Sequence, residues 1–128
     1  MQEAKVELVD GGRGASLLFP YAVKYAGCKT FPAGEIILPA RFTSDFASVP
    51  RALWSLIPPH GEYTYSAMMH DFFYRHHKYP DSGNWSINRK MADKLFYLSM
   101  RAYGVGRVKA WLMYTAVRLF GKKAWKNN

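Results

Sequence analysis

Apolar residues recur at two different spacings along this chain, and the change falls near residue 62. In the first part the runs are short: Val6 and Leu8, then Ser16-Leu17-Leu18-Phe19, flank Asp10-Gly11-Gly12-Arg13-Gly14. Glycine accepts the positive φ of tight hairpin turns, so these segments predict an antiparallel pair. Tyr21 to Tyr25 and Glu35 to Leu38, separated by the turn-forming Phe31-Pro32-Ala33-Gly34, predict a second pair. Two to four short antiparallel strands are expected. Arg41-Phe42-Thr43-Ser44-Asp45-Phe46-Ala47-Ser48-Val49-Pro50-Arg51 then predicts a loop fixed by its own hydroxyls and carboxylate. Pro58-Pro59-His60-Gly61 closes this half.

After that the spacing turns helical. From Thr64, an N-cap residue, to about His77, one face carries Tyr65, Met68, Met69, Phe72 and Phe73. The opposite face carries His70, Asp71, Tyr74, Arg75 and Lys78 around Ala67. Lys78 to Trp85, with Pro80 and Asp81-Ser82-Gly83, is expected as a loop. A second helix is predicted from Ser86 or Asn88 to about Tyr103, with Met91, Leu95, Leu98 and Ala102 inward and Lys90, Lys94 and Arg101 in water. Gly104 and Gly106 stop it. A third runs from about Arg107 to Phe120, apolar on Val108, Leu112, Thr115 and Leu119 and also on Met113 and Val117, so it is expected to pack on two sides. Gly121 suits its C-cap, and the end Lys126-Asn127-Asn128 is expected to fray.

The elements add up to an α+β fold: a small antiparallel β unit (1–62), three packed α-helices (63–121) and a basic tail (122–128). At 128 residues the chain is one domain long. Forty-nine per cent apolar and 16% aromatic content excludes disorder for most of it. Cys28 is the only cysteine, so no internal disulfide forms, as expected of a chain folding in a reducing compartment. Neither a signal peptide at Met1-Gln2-Glu3-Ala4-Lys5 nor a transmembrane span is legible, since Ala110 to Val117 falls far short of the ~20 residues required. A reducing cytoplasm fits these features; oligomeric state is not legible.

Charge divides the chain more sharply than hydropathy. Residues 1–62 carry six basic and six acidic side chains, whereas residues 63–128 carry twelve and three, and no carboxylate side chain follows Asp93. So one-sided a field favours an anionic partner. Lys122, Lys123, Trp125 and Lys126 can dock a phospholipid surface or a negatively charged protein; nucleic acid ranks below both, for want of a recognisable motif.

The three acidic residues of the basic half each need a reason, and Asp81 has one in its turn. Helical spacing puts His70 and Tyr74 on one stripe, with Asp71 about a hundred degrees round. Asp93 lies at the edge of the apolar arc of the second helix, beside Phe96 and Met100, where a carboxylate is costly unless paired. A contact between His70 and Asp93 is therefore expected. An Asp that holds one ring nitrogen leaves the other to take a proton from water, the logic of a hydrolase base. Asp71 would bind a hard cation such as calcium. The structural alternative pairs Asp71 with Arg75 and Asp93 with Arg89 and only fixes helix packing. His76 and His77 adjoin a loop, and a metal site shared with His60 lacks zinc-type spacing. Thr43, Asp45 and Ser48 offer either a supporting loop or, for Ser48 or Ser44, a nucleophile without the Gly-x-Ser-x-Gly elbow. Arg51 either anchors a phosphate or pairs with Asp45.

Taken in order, Phe42-Thr43-Ser44-Asp45-Phe46-Ala47-Ser48-Val49-Pro50-Arg51, Trp54, Pro58-Pro59, His70-Asp71-x-x-Tyr74 and Arg89-x-x-Ala92-Asp93-x-x-Phe96 resemble an uncharacterised family of bacteriophages and prophages. The resemblance runs from about Phe31 to Gly121 and implies a phage origin, and with it a host cytoplasm or a virion as the location. His70-Asp71-x-x-Tyr74, followed by a helix bearing Ala92-Asp93, is also similar to the active-site helix pair of phospholipase A2, including the compact version in parvovirus capsid proteins. That similarity implies His70 as the base, Asp93 as its orienter, Tyr74 as a support for Asp93 and Asp71 as a calcium ligand. The chain departs from that enzyme in having no disulfides and no Gly-rich calcium loop, for which carbonyls of Thr43 to Ser48 would substitute. The expected function is hydrolysis of an ester, a phospholipid first; the alternative is a non-catalytic virion component or host-factor-binding protein.

Overall fold

Burial alternates along Gly34–Leu38 with the period of a pleated strand. The computed structural model describes residues 6–9, 14–44, 63–80 and 85–126. Strands β1 (Val6–Val9), β2 (Gly14–Leu17) and β5 (Thr43–Ser44) form one antiparallel sheet in the order β1-β2-β5. β3 (Tyr21–Tyr25) and β4 (Gly34–Leu38) form a second sheet, antiparallel, with Val23 opposite Ile36. Val23, Ile36 and Leu38 are buried while Lys24, Glu35 and Ile37 are exposed, so one face of this hairpin meets the helices. Both predicted hairpins are present. A fifth strand, two residues long at Thr43, lies where a loop was expected: its pairing with Ser16 and Ala15 comes from the other end of the β unit, which no local pattern announces.

Helix α1 (Tyr63–His76) is followed by α2 (Arg89–Ala102), α3 (Arg107–Phe120) and a short α4 (Lys122–Lys126). Three packed helices after an antiparallel β unit make the α+β architecture. The caps explain the boundaries: Asn88 accepts a hydrogen bond from Met91 N at 2.7 Å, and Gly121 N donates to Val117 O at the end of α3. The basic segment after Gly121 forms α4, fixed by Trp125 N donating to Gly121 O at 3.0 Å; of the end expected to fray, Lys126 closes this helix and residues 127–128 lie outside the described residues.

α1 is the centre of the molecule, and the face opposite its apolar stripe is covered as well. It touches α2, α4, β3, β4 and β5, so Ala67 through Tyr74 are all buried, His70 and Asp71 included. Ala67, Ala92, Ser66 and Ser99 are fully buried small residues; the two serine hydroxyls meet at 2.6 Å across α1 and α2. Small side chains at this crossing let the helices approach closely enough for short polar side chains to touch. α2 buries Leu95 and Leu98 as expected, but Ala102 is exposed because it is the last residue of the helix. On α3 the buried residues are Ala110, Met113 and Val117, so Val108, Leu112 and Leu119, read as one of two packed faces, point to solvent.

Candidate functional site

The sequence left an unexplained carboxylate on α2, and the fold surrounds it with donors from three helices. His70 Nε2 lies 2.7 Å from Asp93 Oδ1, and the Tyr74 hydroxyl donates to the same oxygen at 2.6 Å. Arg118, from the last turn of α3, donates to Asp93 Oδ2 at 2.8 Å, and Arg89, one turn before Asp93, lies 3.6 Å from that oxygen. His70 and Asp93 have 0% exposure and Tyr74 1%. A buried carboxylate is stable only when paired and hydrogen-bonded, and here both oxygens are engaged.

Electrostatics follow from this geometry. Burial pushes the Asp93 carboxyl up, but hydrogen bonding and attraction from His70, with the bonds from Tyr74 and Arg118, outweigh it and hold the group below the usual carboxylate range. Burial pushes the Tyr74 phenol up, and its bond to Asp93 and the carboxylate's charge add to that, so Tyr74 remains a donor. The Asp93 bond pushes the Arg118 guanidinium up as well.

Arg89 ties the network to the end of α3. It donates to Val117 O at 3.0 Å and Arg118 O at 3.1 Å, and to the Tyr74 hydroxyl at 3.3 Å. Val117 O thereby takes a second donor beside Gly121 N, and the terminal carbonyl of Arg118 is satisfied from outside its helix. Gly121 completes the enclosure. A Cβ there would lie 2.6 Å from the Tyr74 hydroxyl and 2.5 Å from Val117 O, so glycine is required by close approach, its φ of −82° being ordinary.

The other candidates fall in different places. The Asp71 carboxylate accepts from Arg75 at 3.1 Å, and Arg75 also donates to Thr43 O at 2.8 Å. A guanidinium thus occupies the side of Asp71 and the carbonyl of Thr43 that calcium would need, and among the described residues no three His, Cys, Asp or Glu side chains converge. These residues do not fit a calcium ion as they stand. Thr43 reaches the α1 network through that carbonyl, whereas Asp45, Ser48 and Arg51 lie outside the described residues. His76 packs on Phe72 with ring centroids 4.4 Å apart, and His77 Nε2 lies 3.0 Å from Trp125 O, so neither faces a shared metal with the other; His60 is outside the described residues.

Lys122 and Lys123 are exposed, as an anion-facing tail requires. Trp125 turns inward: its ring stacks on His77 at 3.8 Å and meets Tyr74 edge-on at 5.2 Å, which closes the network from the α4 side instead of reaching outward. Lys126 ends α4. Among the described residues no helix is long and apolar enough to cross a membrane. Sequence reasoning missed Arg118 and the closeness of Gly121. Arg118 lies 25 residues from Asp93 and is one of twelve cations in the second half, so only the absence of any other local reason for its place on α3 distinguished it.

Fold and site together define a small α+β domain built on a buried His–Asp–Tyr network between its helices. The chain belongs to the family described as protein of unknown function (DUF1353), whose model matches residues 19–117. No curated protein and no solved structure matches it.

Proposed function

We propose that the protein is a phage-encoded ester hydrolase in which His70 is the base and Asp93 its orienter, with a phospholipid as the favoured substrate. The single observation that carries this reading is the 2.7 Å contact of His70 Nε2 with Asp93 Oδ1, reinforced on the same oxygen by Tyr74. In this reading the His70 imidazole, oriented by Asp93, takes the proton as a water oxygen attacks the ester carbonyl and returns it to the departing alcohol oxygen, giving a carboxylic acid and an alcohol. Asp93 fixes the tautomer and stabilises the imidazolium formed in between. No step is routed through a metal, because Arg75 holds Asp71. The phage origin rests on the ordered motifs from Phe42 to Phe96, and the choice of phospholipid on the similarity of His70-Asp71-x-x-Tyr74 and Ala92-Asp93 to the phospholipase A2 helix pair.

One observation favours the second reading, a non-catalytic virion component or host-factor-binding protein: the pair is fully buried and Asp93 also carries two guanidinium groups. The same residues then knit α1, α2 and α3 together. Liposome hydrolysis with and without Ca²⁺, comparing wild type with His70→Gln, separates the two. Fatty-acid release that His70→Gln abolishes while the fold survives supports the hydrolase, and dependence on Ca²⁺ would restore the metal. Lack of release by a folded wild type with either condition leaves the binding protein.

A further inference from the structure

α3 has two apolar faces on opposite sides, and the molecule covers one. Ala110, Met113 and Val117 point into the core. About half a turn away, Val108 (75% exposed), Trp111 (57%), Leu112 and Leu119 (68%) form a stripe at helical spacing, with Phe120 beside it. Four large apolar side chains in line over three turns is more than scattered surface hydrophobicity. The stripe opens on a groove of about 320 Å³ lined by Trp111, Tyr114, Tyr97, Lys90 and Lys94. Tyr97 and Tyr114 meet edge-on at 5.9 Å, and Arg107 is exposed at the head of the helix.

Charge decides what can cover this face. Every charged side chain after Asp93 is basic, so a second copy docked through the same stripe would oppose cation to cation. An anionic covering is required. Aliphatic and indole side chains in the middle, tyrosines beside them and flexible ammonium groups at the rim match the depth profile of a bilayer boundary: acyl chains, carbonyl region, phosphate. We propose that the outer face of α3, with Lys90 and Lys94 of α2, is a docking surface for an anionic phospholipid membrane. The choice of lipid over an acidic protein rests on the ester-hydrolase reading above; the surface itself rests on the geometry of α3.

The test is co-sedimentation of the full chain with vesicles of ether-linked phospholipid, which an esterase cannot cleave, made either from phosphatidylcholine alone or with one third phosphatidylserine. Wild type is expected to sediment with the anionic vesicles at least tenfold more strongly than with the neutral ones. Trp111→Ser/Leu112→Ser and, separately, Lys90→Glu/Lys94→Glu should each weaken that binding at least tenfold while the thermal melt stays in place. Absence of wild-type binding to anionic vesicles, or binding that both variants retain, overturns the proposal, as does a dimer in light scattering that Trp111→Ser/Leu112→Ser dissolves. Because the lipids are ether-linked, a chain that binds them and yet cleaves no ester sinks the hydrolase alone, whereas cleavage of a soluble short-chain ester without vesicle binding sinks only the docking surface.

Discussion

The two sides of α3 invert the usual placement of polar and apolar groups. Its inner end brings Arg118 to a carboxylate with no exposure, in a cluster where His70, Tyr74 and Arg89 also meet. Its outer side sets Val108, Trp111, Leu112 and Leu119 in water. Both arrangements cost free energy in an isolated domain, but differently. The inner one is offset within the fold, bond by bond; the outer one is offset by nothing among the described residues, and the proposed membrane contact would supply what is missing. Substitutions on the inner side should therefore register as stability, and those on the outer side as binding.

Asp93→Ala is the hardest blow to that distinction. It removes the acceptor of His70, Tyr74 and Arg118 together and leaves buried donors without a counter-charge, which should lower unfolding stability by about 3–5 kcal/mol in a urea titration. A loss below about 1 kcal/mol would mean that the inner cluster is not what holds the three helices. The acid limb sharpens the same point. Because the folded Asp93 carboxyl is held below its unfolded value of about 3.9, its contribution is complete above that pH and disappears as pH falls through the lower folded value. Asp93→Asn should accordingly lose less stability than wild type on going from pH 5 to the acid end of the range, read as Tm against pH.

Much of this was legible from the residues alone. α2 and α3 could be bounded because Asn88 and Gly121 are strong punctuation, and the His70–Asp93 contact followed from a carboxylate at the margin of an apolar arc. Which face of α3 was inward was not legible, because Val108-Leu112-Leu119 and Met113-Val117 are equally apolar and periodicity cannot tell a covered stripe from an open one. β5 escaped for a related reason: its two residues gain their identity from β2, 27 positions away for the Ser16 and Thr43 pair. The burial of Ser66 through Tyr74 was hidden by polar residues, which are inside because partners meet them: Asp93 for His70 and Tyr74, Ser99 for Ser66 and, within α1, Arg75 for Asp71.

Smaller tests follow from individual contacts. Tyr74→Phe deletes a 2.6 Å hydrogen bond to a charged oxygen and should cost about 1.5–3 kcal/mol by the same titration. Gly121→Ala forces a methyl against the Tyr74 hydroxyl and Val117 O, for about 1–3 kcal/mol. Because the clash is partly with that hydroxyl, Gly121→Ala should cost less in a Tyr74→Phe background than in wild type; simple additivity in the double-mutant cycle would remove Gly121 from the cluster. Smallest of all, Trp111→Ser should leave stability within about 0.5 kcal/mol, since its ring touches mainly solvent.

Arg89 reaches forward to the carbonyls of Val117 and Arg118, so the last turn of α3 is anchored from a point 28 residues earlier. The family match stops at residue 117, one position short of the ion pair and before Gly121 and the Trp125 ring. Trimming the polypeptide at that border would strip the lid from its most tightly bonded cluster and flood it with solvent. Homology borders and folding borders differ here by the eight residues from 117 to Trp125, about two helical turns, and the shorter product should be soluble only as an unfolded or partly melted chain.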